Sequence, residues 1–342
     1  MGPKAKSAKT KKEPEAEDNG VTRPMVVASY TKMCRAIGVP INAHMSDMIK
    51  GKGEEADEKL AQVMIDEDFG ALGNGGIRAM ACAFLGTVPH SNTGPYMHLA
   101  NVRVWNNPIG DEGASAIASL LCEGNNLVNI LYVELMDCDI GPEGCTMLAD
   151  ALKAEKKAPL QALKLNCNSK IGDDGVAALC QGLFTNTTIK QLHLEFCKIT
   201  SAGTIVLAQL LSMAKSGLQS LSLQGNLLGD EGLLHLSKGL KRSHSLVKLN
   251  LSDNGIRKDV AALTAFRDAI VACKTLTSVK FSFNLIDIEG ADILLPALES
   301  DDGARLKCFE VDPSLPPEVF KKLNRGEKAD GKKKKGKKGK KK

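Results

Sequence analysis

Aromatic residues and long apolar runs are both scarce in this sequence. The 342 residues include one Trp, three Tyr and nine Phe. No apolar run reaches the roughly 18 residues that a membrane helix needs, so we expect no membrane span. The opening segment, Met1-Gly-Pro-Lys-Ala-Lys, lacks the apolar stretch of a secretory signal. These absences favour a cytoplasmic protein with no membrane partner.

Sequence motifs of catalysis are also missing. None of the six histidines forms H-E-x-x-H, and Gly73-Asn-Gly-Gly76 lacks the G-K-[ST] ending of a phosphate loop. The ten cysteines show no metal-ligand spacing, which favours reduced core residues over disulfides or a metal site. We therefore expect no enzymatic activity and no cofactor.

A repeated pattern is what the sequence has in abundance. The clearest copy runs from Leu218 to Gly232 and reads L-x-x-L-x-L-x-x-N-x-L-G-D-E-G. Copies begin about every thirty residues, which is typical of a stacked solenoid. They start at Leu60, Leu99, Ile130, Leu160, Ile189, Leu218, Leu246 and Leu276, with a truncated ninth at Leu306.

Each copy predicts one strand followed by one helix. Positions four and six are apolar and lie on the same side of a strand, and the residues after Gly-Asp-Glu-Gly have helical spacing. The Asp of that motif (Asp111, Asp173 and Asp230) is predicted to be the N-cap of the helix that follows it. Position nine is predicted to bond to backbone groups of the next turn. Its residues are Asp68, Asn107, Cys138, Asn168, Cys197, Asn226, Asn254 and Asn284.

The L-x-x-L-x-L-x-x-N/C-x-L signature resembles the ribonuclease-inhibitor type of leucine-rich-repeat protein. The resemblance covers residues 60–312 and implies an α/β solenoid of about eight repeats, curved like a horseshoe, with a parallel inner sheet and outer helices. The flanking segments complete the predicted organisation: a disordered tail over 1–22, a helical cap over 23–59, a cap helix over 313–325 and a disordered Lys-rich tail over 326–342.

Strand positions three, five and seven are predicted to face outward on the concave side of the sheet. The single Trp occupies one of these positions, and Trp, Tyr and Arg dominate binding energy at protein interfaces. We expect a protein-binding face formed by Met64, Arg103, Trp105, Tyr132, Glu134, Met136, Lys164, His193 and Glu195. The alternative is that Trp105 is covered by the insertion at residues 87–96, which lengthens the first repeat.

The charge of the chain is divided unevenly. The formal net charge is +5, yet the segment between residues 20 and 332 is acidic overall. The Lys-rich tail comprises Lys332, Lys333, Lys334, Lys335, Lys337, Lys338, Lys340, Lys341 and Lys342. Such a tail favours a salt-sensitive tether to an acidic surface, such as the tails of tubulin. Two alternatives are a solubilising end and a nuclear, nucleolar or nucleic-acid-binding segment.

Two functional classes follow from this sequence. The first is a non-catalytic scaffold within a larger assembly, since small repeat proteins with lysine-rich ends are similar to components of ciliary and flagellar axonemes. The second is a GTPase activator, because the Ran-type activators resemble this repeat architecture and use an arginine and an asparagine near the first repeats. Arg103 and Asn107 lie in the corresponding region, without a matching local motif. A nuclear or nucleolar adaptor that uses the basic tail is a further alternative.

Overall fold

The computed structural model describes residues 18–53, 58–90, 93–123, 128–300 and 304–326. Most of the N-terminal tail and nearly all of the Lys-rich tail, including its nine predicted tether lysines, lie outside the described residues. Residues 18–22 do not behave as the predicted tail. Asp18 forms an ion pair with Lys59 at 3.1 Å, the Asn19 amide donates to the Pro95 carbonyl, and Val21 is buried. The packed body therefore begins before the predicted cap boundary at Arg23.

One parallel sheet contains nine strands in sequence order. Every strand begins two residues after a predicted repeat start, so the nine starts from Leu60 to Leu306 are confirmed. Sequential parallel pairing at this period is the geometry of a solenoid, in which each repeat covers the apolar edge of its neighbour. The strands are β1 (Gln62–Asp66), β2 (Asn101–Trp105), β3 (Tyr132–Met136), β4 (Ala162–Lys164), β5 (Gln191–His193), β6 (Ser220–Ser222), β7 (Lys248–Asn250), β8 (Ser278–Lys280) and β9 (Cys308–Glu310).

One helix layer lies behind the sheet, and two short caps close its ends. The N-terminal cap is α1 (Arg23–Ile37) and α2 (Ala43–Lys50). The repeat helices are α3 (Gly73–Leu85), α4 (Gly110–Cys122), α5 (Pro142–Leu152), α6 (Gly172–Leu183), α7 (Ser201–Ser212), α8 (Gly229–Leu240), α9 (Val260–Ala272) and α10 (Ile288–Glu299), and the C-terminal cap is α11 (Pro317–Leu323). None of the helices in the described ranges combines the length and apolar character that a membrane crossing requires.

The core is a stack of apolar side chains between the sheet and the helices. In β2 the inward Val102 and Val104 are fully buried, while the outward side chains that alternate with them stay partly exposed. Leu192, Leu221 and Leu249 continue the same buried row through the later strands. Burying each such side chain stabilises the fold by about 1.5–3 kcal/mol, so the repeated leucines and valines determine the architecture.

Position nine forms a hydrogen-bonded ladder that joins consecutive repeats. Asn168 Oδ1 accepts from the backbone N–H groups of Cys138 and Ile140, and its Nδ2 donates to the carbonyls of Leu135 and Leu165. The amide therefore bonds to its own strand and to the preceding repeat, beyond the local turn that the sequence predicts.

Cysteine at position nine makes fewer kinds of hydrogen bond than asparagine does. The first repeat contributes no residue to the ladder. Cys138 Sγ donates to the carbonyls of Val104 and Met136, which reproduces only the donor half of an asparagine. The prediction that Asp68 is the first member is wrong. Asp68 is exposed in a single 3₁₀ turn over Glu67–Phe69, and that turn displaces it from the ladder.

The Gly-Asp-Glu-Gly aspartates stabilise helices, but not their own. The prediction that they are N-caps of the helices they precede is wrong, because α4, α6 and α8 begin at the glycine, one residue earlier. Asp111 Oδ1 instead accepts from the N–H groups of Gly141 and Gly144, at the start of α5. Asp173 bonds in the same way to Thr200 at the start of α7. Asp111 and Asp173 thus satisfy free N–H groups at the start of the next repeat's helix, whereas Asp230 accepts from the Arg257 N–H, ahead of α9.

A left-handed residue ends the strand segment in seven repeats, directly before the ladder position. This conformation costs roughly 1–2 kcal/mol for residues other than Gly, Asn and Asp. Four repeats place one of those residues there, whereas Cys167, Phe196 and Phe283 adopt it at a φ of 63°, 56° and 59°. The full set is Asn106, Asp137, Cys167, Phe196, Gly225, Asp253 and Phe283. The sequence pattern does not reveal this requirement, because the position tolerates such different side chains.

Candidate protein-binding face of the sheet

The predicted binding residues all lie on the outward face of the first five repeats. Strand pairing places Met64 beside Arg103 and Trp105 beside Met136, and it aligns Arg103 with Glu134, Glu134 with Lys164 and Lys164 with His193. All nine predicted residues are partly exposed, including Glu195 just beyond β5. They therefore form one continuous surface across adjacent strands.

Tyr132 is the centre of a charged cluster on this surface. Arg103 Cζ lies 4.9 Å from the ring centroid and Lys164 Nζ lies 5.1 Å from it, so two cations lie within cation–π distance of one aromatic ring. The Tyr132 hydroxyl donates to Glu134 Oε2 at 2.6 Å. Burial raises the pKa of Tyr132, and its bond to Glu134 acts in the same direction. The phenol therefore remains a neutral donor over the physiological pH range.

Arg103 and Trp105 each carry a polar atom that has no hydrogen-bond partner among the described residues. Arg103 Nε lies 3.8 Å from Glu134 Oε2, which is too long for a hydrogen bond. Both unpaired atoms, Arg103 Nε and Trp105 Nε1, are buried. A buried polar group left unpaired costs about 1–3 kcal/mol. Two hydrogen-bond donors of the face around Arg103 and Trp105 are thus left unpaired by the part of the chain that the structure describes.

Trp105 and the insertion at residues 87–96 lie at opposite ends of β2. The insertion leads into the N-terminal end of β2, whereas Trp105 is the last residue of that strand. The contacts of the insertion run toward the cap and the first repeat: Lys32 donates to the His90 carbonyl, and buried Tyr96 accepts from the Leu60 N–H. These contacts of the described part of the insertion lie on the cap and the first repeat, so coverage of Trp105 by the insertion stays the alternative to a protein-binding face.

His193 and Glu195 extend the face toward the middle of the solenoid. Burial lowers the pKa of His193 below its usual value, and Lys164 acts in the same direction, whereas Glu195 and Glu134 oppose them. The Ser222 hydroxyl donates to Glu195 Oε1 at 2.5 Å. His193 is thus mostly neutral near pH 7, and the carboxylate of Glu195 is held by the next strand.

The surface offers polar and aromatic contacts, and two further site types can be checked on it. Among the described residues, no group of three or more His, Cys, Asp or Glu side chains is placed to hold a metal ion. Asn107, which the activator hypothesis requires to be accessible, is fully buried. Its Oδ1 accepts from the N–H groups of Leu72 and Gly73. Asn107 is therefore committed to the ladder.

Exposed apolar side chains form a second feature, which the outward-position rule missed. Phe196, Leu227, Phe283 and Leu285 lie where the later strands end, and they are 43%, 65%, 63% and 62% exposed. They occupy turn positions eight and ten of their repeats, whereas the rule considers only positions three, five and seven. In the sequence, the large apolar residues at these two turn positions could have indicated this exposed apolar feature.

Comparison with known proteins agrees with this architecture. The family described as Leucine Rich repeat matches residues 104–118, 127–149, 156–180, 185–208, 217–237 and 242–259. Mouse ribonuclease inhibitor is 31% identical over 186 residues, which is 54% of this chain and 40% of that protein. The pig ribonuclease inhibitor is 34% identical over 137 residues, which is 40% of this chain and 29% of that protein.

A solved structure of the tropomodulin C-terminal domain from Caenorhabditis elegans also matches. It covers 48% of this chain and 95% of that domain, with 19% identity and a TM-score of 0.40. The chain spans less than half the length of the two inhibitors it matches. The repeat signature, the nine-stranded parallel sheet and the inhibitor matches identify the family. This chain is a leucine-rich-repeat protein of the ribonuclease-inhibitor type.

Proposed function

We propose that this protein is a non-catalytic scaffold that binds a protein partner through the outward face of β2–β5. The observation that carries the proposal is the cluster around Arg103, Trp105 and Tyr132. It gathers the residue types that dominate interface energies, and two of its buried donors find no partner in the described ranges. Its relatives in the repeat family support protein binding as the general role.

Alanine substitution at both aromatic residues tests this face. Replacing Trp105 and Tyr132 together should weaken partner capture by about 2 kcal/mol or more, roughly thirtyfold, because aromatic anchors carry much of the binding energy. The measurement is quantitative crosslinking and mass spectrometry in cell extract with the full chain. A matched control replaces Lys248 and Ser282 with Ala, two partly or fully exposed residues on the same face of later repeats. The proposal fails if the two double variants capture the same partners equally.

We also propose that this scaffold belongs to a cytoskeletal assembly. The Lys-rich tail at residues 332–342 would tether the scaffold to an acidic surface such as tubulin tails, in the cytoplasm and in an assembly such as a ciliary or flagellar axoneme. Changing its nine lysines to Gln should abolish co-sedimentation with microtubules at low salt, and added salt should weaken the unmodified chain. Equal sedimentation of the unmodified chain and the Gln variant would contradict the proposed tether.

GTPase activation is disfavoured by the burial of Asn107, which cannot reach a nucleotide held by another protein. We expect no stimulation of GTP hydrolysis when the full chain is added at micromolar concentration to candidate small GTPases. A rate increase that disappears in the Arg103→Ala variant would overturn this expectation.

A further inference from the structure

A groove of about 780 Å³ lies on the helix side of the solenoid, away from the sheet face. It runs between α3 and α4 and is closed at its flanks by the N-terminal cap and by α5. Along the groove, α4 presents only small side chains, which leave the space between the helices open: Ser115, Ala116 and Ser119. Since α3 has thirteen residues, the groove runs for roughly 20 Å, a length that matches three to four turns of another helix.

Apolar side chains form a strip along the walls and floor of the groove, beside its polar lining residues. Ile37 and Val39 of the cap form one side, with Val39 packed against Gly75, where a Cβ would lie 2.6 Å from Val39 Cγ1. Cys82 and Leu85 contribute to the floor, and Met147, which is 45% exposed, stands on the opposite side. An apolar groove between helices is the type of surface that accepts the apolar stripe of an amphipathic helix.

The charge around the groove is strongly one-sided. Its lining contains four carboxylates and one guanidinium, so its formal charge is 1 − 4 = −3; the charged residues are Asp111, Glu112, Glu123, Glu143 and Arg78. Asp111 bonds to the start of α5, and Glu112 accepts from the Asn74 amide. Within the described part of the chain, Glu112, Glu123 and Glu143 form no ion pair. They stand near both ends of the groove, where a bound segment could place several cations.

We propose that this groove binds a basic amphipathic helix of a partner protein. The apolar side chains of that helix would contact Cys82, Leu85, Ala116 and Met147, and its lysines or arginines would meet Glu112, Glu123 and Glu143. The Lys-rich end of this chain is a poor occupant, because residues 332–342 contain only Lys and Gly and offer no apolar side chain. The site is independent of the sheet face and joins a second partner to the scaffold.

Fluorescence anisotropy with a labelled synthetic peptide tests the groove in the full chain. The probe is a 14-residue helix former with Leu on one face and Lys on the other, and its control has the same composition with the Leu residues scattered around the helix. The patterned peptide should bind at least tenfold more tightly than the scattered one, since only the former presents a continuous apolar face. Equal affinity for both peptides, or no binding at about 100 µM peptide, overturns the proposal.

Charge-reversal variants locate the binding on the chain. Glu112→Lys with Glu143→Lys should weaken binding of the patterned peptide at least tenfold. The matched control, Asp292→Lys with Glu299→Lys, makes the same charge change on exposed residues of α10 and should alter affinity less than twofold. Similar losses in both variants would show general charge attraction and overturn the proposal. Ala116→Trp, which fills the groove without changing charge, should also weaken binding tenfold if circular dichroism shows an intact fold.

The chain's own N-terminal lysines are the competing occupant. A full-length variant with Gln at Lys4, Lys6, Lys9, Lys11 and Lys12 should bind the patterned peptide within twofold of the unmodified chain. A tenfold gain in affinity would mean that these lysines normally fill the groove, and it would overturn assignment of the groove to a partner.

Discussion

The outward face of β2–β5 and the outward face of β6–β8 differ in their side chains, although equally buried apolar residues lie beneath both. In β2 and β3 the outward positions carry Asn, Arg, Trp, Tyr, Glu and Met, whereas in β6–β8 they carry mainly Ser, with Asn and Lys. Beneath them, Val104 and Leu135 are as fully buried as Leu223 and Leu251. The repeat therefore determines the interior equally along the chain and leaves the outward positions free to differ. Large aromatic and charged side chains gathered on one half are not needed for folding, which is why that half is the better binding candidate.

The asparagine ladder should contribute equally to stability under both halves of the sheet, and its loss should have the largest effect. Asn168 accepts hydrogen bonds from two backbone N–H groups and donates to two strand carbonyls. Asn284 does the same in the eighth repeat. Asn168→Ala and Asn284→Ala should each lower the free energy of unfolding by about 3 kcal/mol, since two buried N–H groups lose their acceptor. Urea denaturation measures the loss.

Ser282→Ala serves as the control for the ladder variants. This residue lies on the outward face, close in sequence to Asn284, and is partly exposed, so its removal should change stability by less than about 0.5 kcal/mol. A loss at Asn168 that is far larger than the loss at Asn284 would show that the two halves do not share one core.

Cysteine reactivity reports how well the core is protected under each half without altering the fold. Burial raises the pKa of Cys138 and Cys197, under the first half, to about 12, and Cys273, under the second, is equally buried. Cys167 is exposed, although burial of its thiol and nearby Asp137 raise its pKa as well. Because the thiolate is the reactive form, iodoacetamide at pH 8 should modify Cys167 at least about tenfold faster than the other three.

Mass spectrometry of the alkylated peptides gives the rates at each cysteine. In concentrated urea the four thiols should react at similar rates, which controls for local sequence. Rapid native modification of Cys138 or Cys197, with Cys273 protected, would mean that the core under the proposed binding half is open.

The strained turn positions offer a smaller test. Phe283 adopts a φ of 59° and is 63% exposed, so Phe283→Asn should keep or raise stability by up to about 1 kcal/mol. Phe196 has the same conformation but lies against Gly225, where an added Cβ would collide with the Phe196 ring. Phe196→Asn should therefore gain less, because it also loses this contact. Thermal unfolding of both variants measures the difference, and a clear destabilisation by Phe283→Asn would contradict the strain argument.

The repeat spacing was enough to predict the nine strands and the outward positions, because side chains alternate strictly along a strand. It could not predict interactions between repeats, which depend on how neighbouring coils are offset in space. Asp111 looked like a cap for its own helix, yet it bonds to the next one. The contact of Tyr132 with Arg103 and Lys164 also crosses strands. The groove between α3 and α4 depends on small side chains on the helix surface rather than on any sequence motif.

The smallest effect concerns the electrostatics of the proposed binding half. Burial, followed by Lys164, lowers the pKa of His193. For a base with a lowered pKa, the unfolded chain takes up the proton first as pH falls through about 6.5, so His193 should reduce stability on the acidic side of that value. Lys164→Gln should raise the pKa of His193 by removing a neighbouring positive charge, as followed by NMR titration of the imidazole. Lys248→Gln, on β7, should leave it unchanged. An unaltered titration in the Lys164 variant would mean that the clustered charges do not interact, and the electrostatic contrast between the two halves would then rest on residue types alone.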